Sequence, residues 1–404
     1  MPDLTAALLS QIADTGRDAV RGGWSRPVFS APERELLEWS REQCTRRGLD
    51  TDVDSNGILW AWWNPAHLPL ADAVVTGSHL DSVPGGGAFD GPLGVASALR
   101  AVDLLREREV TPGRPLAIAV FPEEEGSRFG IACLGSRLLT GALQADRALA
   151  LRDPAGDTLA DVARRAGLDP HRMGRDEAAL ARIGAFVELH VEQGRGLIDL
   201  DAPVAVASSI IGHGRWRVTV HGQGNHAGTT LLADRRDPVV AAAQVVLTVR
   251  EVAAEHPGAR ATVGRFQPVP GGTNVIASRV DMWLDVRHAE DAVTAAVVEE
   301  IGRRAAVAAA GEGCTVEVYE ESASPTVDFD PTLRDRLRAA LPGAPVLATG
   351  AGHDAGILAA HVPTAMVFVR NPTGVSHSPE EHVEDDDAER GSVALADVLQ
   401  HLLV

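Results

Sequence analysis

The 404-residue sequence contains no lysine: all 37 basic side chains are arginine, set against 56 carboxylates. This absence excludes Schiff-base aldolase chemistry, pyridoxal-phosphate chemistry through an internal aldimine, and a Walker-type phosphate loop, which needs its GK[ST] lysine. A formal net charge of −19 leaves no general excess of basic charge for a nucleic acid or an anionic membrane surface. Long hydrophobic runs are missing as well. No stretch approaches the about 18 uncharged apolar residues of a membrane span, and Met1 to Arg21 has acidic residues but no continuous apolar segment of the kind a signal peptide carries. A cytoplasmic location is the expectation. Cys44, Cys133 and Cys314 are odd in number, far apart and without C-x-x-C spacing. They predict neither a disulfide framework nor a thiolate zinc site, and read as buried small hydrophobes.

What is present is ordinary for a folded protein, with 45% hydrophobic and 23% charged residues. The length predicts two or more domains. Ala31 to Arg47 has a helical pattern, with Ser30 as cap, Pro32 in the first turn and Gly48 as stop. Thr51 to Trp63 reads as two short strands around Ser55-Asn56-Gly57. Ala73 to Ser78 is a buried strand ending at His79, Leu116 to Phe121 another ending at Glu123-Glu124-Glu125, and Gly91 to Arg108 between them is helical. This βαβ unit predicts a sheet that is parallel at its centre, with polar residues gathered at strand carboxyl ends. Near Ile211 the texture changes. Strands at Arg215–Gly222, Ala261–Phe266, Val280–Arg287 and Thr315–Glu320, with helices at Asp237–Glu255 and Ala292–Ala310, suggest an α+β insert. A helix at Leu333–Leu341, a strand at Ala365–Val369 and a closing helix at Asp387–Leu402 would complete the first sheet. Glu384-Asp385-Asp386-Asp387 reads as a helix start.

Imidazoles and carboxylates recur after four separate strands. His79 and Asp81 point to the same side of a strand end, so Asp81 could orient the imidazole while His79 binds a metal. Asp90 follows the glycine-rich Gly85-Gly86-Gly87. Taken alone, His79 reads equally as a satisfied polar residue and Asp90 as a helix N-cap. Glu123-Glu124-Glu125 places three adjacent carboxylates that repel one another unless cations or protons intervene. Glu188, His190 and Glu192 share one face of a strand, and Ser376-His377-Ser378-Pro379-Glu380-Glu381-His382 follows the last apolar strand. Together they favour a metal centre of histidine and carboxylate, suited to zinc, manganese, cobalt or nickel. Two ions sharing one aspartate would leave a further carboxylate free as a base.

The motifs GSHLDSV, GGxFDGxLGV, EEGSRF, ELHVEQG, NHAGTT followed by RRDP, GxTNVI, GAGHDA and SHSPEE closely resemble those of the M20-type amidohydrolases. Within that family they are most similar to the hydantoinase/carbamoylase branch, which includes N-carbamoyl-L-amino-acid hydrolases, allantoate amidohydrolases and β-ureidopropionases. The resemblance runs from about Gly16 to the C-terminus. It implies an α/β fold: a catalytic doubly wound mixed sheet with helices on both faces, interrupted by a smaller α+β lid and dimerisation domain. The expected boundaries are 1–210 and 326–404 for the two catalytic parts and 211–325 for the lid.

Carried over position by position, the resemblance makes His79, Asp90 and His190 ligands of one divalent ion, and Asp90, Glu125 and His377 ligands of a second. Glu124 becomes the general base for a water held between the ions, because the family's carboxylate pair directly precedes Gly126, and Asp81 supports the centre. His226 would stabilise the oxyanion across the interface of a homodimer. Arg287 would bind the carboxylate of a small anionic ureido or carbamoyl substrate, with Asn274, Arg215 and Gln193 as further contacts. Two departures touch the substrate region: Leu231-Leu232 stand where relatives have proline and methionine, and His213 where many carbamoylases have glutamine. Allantoate and N-carbamoyl-L-amino acids are the expected substrates. An M20 aminoacylase or dipeptidase would use the same centre on an ordinary amide, and a metal-free scaffold would lack some of these groups.

Overall fold

The computed structural model describes residues 4–404. It forms two compact units, one from the residues up to Ser209 together with Asp328–Val404, the other from Ile210–Val327.

The first unit is built on a mixed sheet, nine-stranded among the described residues. Seven of its strands lie in the spatial order Asp50–Val53, Leu59–Trp63, Leu116–Phe121, Ala73–His79, Ile183–Val191, Thr364–Val369 and Val204–Ile210. The central four are parallel, and the strands beside them, Leu59–Trp63 and Val204–Ile210, run antiparallel to them. Ala73–His79, Leu116–Phe121 and Thr364–Val369 are buried along their whole length. That is why these segments read as apolar runs rather than as alternating patterns: both faces of the sheet are covered. On one face the helices Pro92–Glu107 and Asp385–Leu403 join a single core with Ala185, Val187, Leu189 and Val191. Strand alternation then turns Phe186, Glu188 and His190 to the other face. From Ala73–His79 the chain passes to Leu116–Phe121 on one side and later to Ile183–Val191 on the other. This reversal opens a crevice at the carboxyl ends of the strands, the place where open α/β sheets hold ligands.

The Ala31–Arg46 helix starts where the sequence predicts, with Pro32 in its first turn, but Ser30 makes no capping bond and its hydroxyl is buried without a partner. Glu33 reaches back instead, accepting the Phe29 N–H at 2.9 Å. The expected turn after Asp50–Val53 is closed by Asp54, whose carboxylate accepts the N–H groups of Asn56 and Ile58.

The second unit is a four-stranded antiparallel sheet in the order Thr315–Ser324, Gly212–His221, Arg279–His288, Arg260–Val269. Burial alternates along its two central strands. Trp216, Val218, Val220, Val280, Met282, Leu284 and Val286 face Val245, Val249, Val252, Val297 and Ile301 of the helices Pro238–Glu255 and Asp291–Gly311. The odd-numbered residues, including His213, Arg215, Asp285 and Arg287, lie on the opposite face of the sheet. Among the described residues no helix is long and apolar enough to cross a membrane.

Candidate metal centre

The site grows from four strand ends of the first unit. His79 is the last residue of its strand and fully buried. Its Nδ1 lies 3.1 Å from the carbonyl oxygen of Asp81. A carbonyl only accepts, so Nδ1 carries a proton, and in the neutral ring Nε2 presents its lone pair. His190, one residue before the end of its strand, repeats the device with the carbonyl of Val191 at 3.0 Å. Neither Nε2 has a hydrogen-bond partner, although both are buried. They face the same atom, Asp90 Oδ1, at 3.5 Å from His79 and 3.2 Å from His190. Two buried lone pairs aimed at an anionic oxygen repel it unless a cation or a proton stands among them. A divalent ion fits this donor set, and its charge supplies the compensation that these atoms lack.

A second group shares Asp90. Its Oδ2 lies 3.5 Å from His377 Nε2, which is 3.3 Å from Glu125 Oε2. Both groups, His79–Asp90–His190 and Asp90–Glu125–His377, offer ligand atoms within 4.8 Å of one another. Asp90 does not cap the following helix, whose first turn begins from Gly91 at φ +86°. A Cβ at Gly91 would stand 2.5 Å from the His79 ring, so glycine is needed here both for its backbone conformation and for clearance.

Glu124 lies beside both groups. Its Oε2 is 3.7 Å from His79 Nε2, while Oε1 has His353 Nδ1 at 3.9 Å and the Cys133 thiol at 3.7 Å. Burial pushes its carboxyl well above the ordinary range; His79 opposes the shift, and Glu125, Asp354 and Asp90 add to it. Glu125 is raised in the same way by burial and by Asp90. Glu123 is turned aside at φ +56°, where its carboxylate accepts the N–H groups of Arg128 and Phe129. Of the three adjacent glutamates, then, Glu124 and Glu125 face the cluster.

The Asp81 carboxylate does not make the closest bond to the His79 ring. It stands 3.6 Å away, and instead accepts the backbone N–H groups of Glu124 and Glu125, each at 3.1 Å. Gln193 donates through Nε2 to Asp90 Oδ2 at 2.8 Å and to Ser376 at 3.0 Å. Glu192, on the same face as His190 by alternation, lies past the strand end and caps Gly196 and Leu197.

The other expected residues belong to the second unit. Arg287 forks onto Asp285, with Nε and Nη2 at 2.7 and 3.0 Å from its two oxygens. Arg215 Nε lies 3.8 Å from the same carboxylate. His226 is exposed in a short strand paired with Val275, and the carbonyl of Asn274 accepts the Ala227 N–H.

His353 and Glu381, to which the sequence assigns no role, lie inside the motifs GAGHDA and SHSPEE. His353 is buried, its ring 4.3 Å from that of His190, and neither ring nitrogen is hydrogen-bonded. Burial drives its pKa well down, and neighbouring His190 adds to this.

Comparison with known proteins defines the class. A sequence model of peptidase family M20/M25/M40 matches residues 75–401, and the chain belongs to that family. The resemblance then narrows. The chain is 36% identical over 398 residues to an N-carbamoyl-L-amino acid amidohydrolase of Geobacillus stearothermophilus, covering 97% of this chain and 95% of that protein. It is 31% identical over 390 residues to an allantoate amidohydrolase of Escherichia coli, covering 94% and 93%. A hydantoinase/carbamoylase family amidase from Burkholderia ambifaria has the same fold at a TM-score of 0.87 and 32% identity, covering 100% of this chain and 99% of that one. The chain is an amidohydrolase-type enzyme that hydrolyses C–N bonds.

Proposed function

We propose that this enzyme is a two-metal amidohydrolase that cleaves the C–N bond of a ureido or carbamoyl group on a small carboxylate, either allantoate or an N-carbamoyl-L-amino acid. The observation that carries the reading is the pair of ligand groups sharing Asp90, with Glu124 beside them and in neither. His79, Asp90 and His190 would hold one ion and Asp90, Glu125 and His377 the other, with zinc the leading ion and manganese, cobalt and nickel acceptable to the same ligands. When bound, the ions lower the pKa of water and polarise a carbonyl oxygen.

The chain's own residues supply the rest. Glu124 takes the proton of the attacking water and delivers it to the leaving nitrogen. Its place beside the ligand groups and in neither of them leaves its carboxylate available both to accept that proton and to deliver it. Arg287 binds the substrate carboxylate through its planar fork, which Asp285 engages in this structure and which the substrate would take over. Asn274, Arg215 and Gln193 are further substrate contacts. His226, from the partner subunit of a homodimer, donates to the developing oxyanion. In this reading residues 211–325 form the lid and dimerisation domain between catalytic parts 1–210 and 326–404. Three buried, unpaired cysteines suit a cytoplasmic setting.

A substrate panel tests the proposal, with allantoate, N-carbamoyl amino acids, N-acetyl amino acids and dipeptides offered to the wild type and to Glu124→Gln. Ammonia released from the first two, and lost in the variant, is the expected result. Turnover of acyl amides alone would replace the ureido reading by an aminoacylase or dipeptidase, and unchanged turnover in Glu124→Gln would remove Glu124 as base.

A further inference from the structure

The proposed ligand Asp90 comes from the loop after Ala73–His79, and His377 from the loop after Thr364–Val369. These loops are almost 300 residues apart in sequence, so something must fix their spacing. Glu381 joins them. Its side chain is buried, with 4% of the residue exposed. Oε1 accepts the backbone N–H of Phe89 at 3.1 Å and of Asp90 at 2.9 Å. Oε2 lies 3.1 Å from the hydroxyl of Ser376, the residue before His377. The same hydroxyl is 3.4 Å from Asp90 Oδ2, so its single proton serves one carboxylate or the other while its oxygen accepts from Gln193. The Phe89 ring meets His382 edge-on at 5.9 Å, a second contact between the same two loops.

Gly87 is part of the arrangement. A Cβ there would stand 2.1 Å from Glu381 Oε1 and 2.7 Å from Glu381 Cβ. A free glutamate would swing away from such an overlap, but this one is held by two backbone amides, so moving it costs both bonds.

We propose that Glu381 is a positioning residue for the metal centre: it holds Asp90 and His377 at the spacing at which they can share an ion, and Gly87 is glycine because the carboxylate fills the space of its side chain. This rests on the two-metal reading above. Glu381 belongs to neither ligand group; it acts through the backbone of Asp90 and through Ser376. Its carboxylate makes it the counterpart of Asp81, which grips the Glu124-Glu125 backbone in the same way.

The test is metal binding rather than turnover. Chelator-competition titration of zinc or manganese into the full-length apoprotein should give two equivalents per wild-type subunit. In Glu381→Ala one equivalent should bind about 10–100-fold more weakly, the usual effect of removing a group that supports a ligand. Glu381→Gln retains an oxygen for the amides and should recover most of that affinity. Gly87→Ala, which keeps the carboxylate but displaces it, should reproduce the loss, and it carries the test if Glu381→Ala does not fold. Two equivalents bound with wild-type affinity in Glu381→Ala and in Gly87→Ala would overturn this inference alone. A wild type that binds neither metal would overturn the two-metal reading and this inference with it.

Discussion

The carboxylate of Asp81 holds the backbone of Glu124, with Oδ1 accepting its N–H at 3.1 Å. The other oxygen takes the N–H of Glu125, and the carbonyl of Asp81 receives Nδ1–H of His79. One residue therefore sets the tautomer of an imidazole at the end of one strand and the position of two carboxylates at the end of the next. Asp81→Asn keeps one acceptor oxygen but turns an NH2 toward the second amide. A buried N–H left unpaired costs about 1–3 kcal/mol, and supporting groups around metals are typically worth about 10–100-fold in affinity or activity. Chelator-competition titrations and kcat/KM should both fall into that range; unchanged values for both would show that the clamp is dispensable.

Glu33 makes stability depend on pH. Burial raises its carboxyl to about 8, and Asp81 contributes to the rise. In the unfolded chain the group ionises near its ordinary value of 4.5, so between there and about 8 the folded state carries a proton that the unfolded state has released. Stability contributed by this group is therefore complete below the lower value and is lost as pH rises across the window. Glu33→Gln stays neutral and can still accept the Phe29 N–H. In urea unfolding of the apoproteins, the variant should match the wild type near pH 4 and exceed it at pH 8, by a few kcal/mol at most. Equal stability at both pH values would mean that Glu33 ionises normally.

Arg287 should act on binding of the substrate carboxylate. Charge-assisted hydrogen bonds contribute about 1.5–3 kcal/mol, so Arg287→Ala should lower kcat/KM for an N-carbamoyl amino acid by roughly 10–100-fold. Arg287→Lys keeps the charge but not the fork and should fall between. A carbamoylated amine without a carboxylate is the control, since the wild type and Arg287→Ala should turn it over equally poorly. If both substrates lost activity alike, the arginine would be acting on the fold instead.

Removing metal should destabilise the protein. Asp90, Glu124 and Glu125 crowd one crevice, and burial already resists ionisation of the two glutamates. A ligand that binds only the folded state adds about 2.7 kcal/mol per site at a hundred times its Kd. Dialysis against a chelator should lower the melting temperature, and zinc or manganese should restore it. A melting curve indifferent to both treatments would argue against any bound ion.

The parts that could be read in advance are those that depend on local order. Continuous apolar runs mark the buried parallel strands, and the central strands of the second sheet show period-two burial, because side-chain direction follows from backbone geometry alone. The strand ends drew attention to His79, Asp90, His190 and His377 for the same reason: polar groups after a buried strand have few places to go except the crevice. The motifs added the pairing of these residues into two groups with Asp90 common to both. Local reasoning failed where a side chain had a choice of partners. Ser30 was expected to cap a helix, and Glu33 reaches back in its place. Glu192 shares the alternation of His190, yet it caps the turn that follows.

Composition and motif order were enough to exclude amine chemistry, to place the chain among enzymes that work with carboxylate, imidazole and arginine, and to single out candidate ligands. Tertiary structure supplied the reason that Glu124 and Glu125, and not Glu123, face the cluster: Glu123 has a positive φ, and the amides of Arg128 and Phe129 claim its carboxylate. It also decided that His353 stands beside Glu124, that Asp81 grips the backbone of Glu124-Glu125 and that Glu381 grips that of Phe89-Asp90. Such contacts join residues tens to hundreds of positions apart. Their energy comes from satisfying particular buried donors, and which donors are buried together is settled only when the sheet brings its strand ends into one crevice.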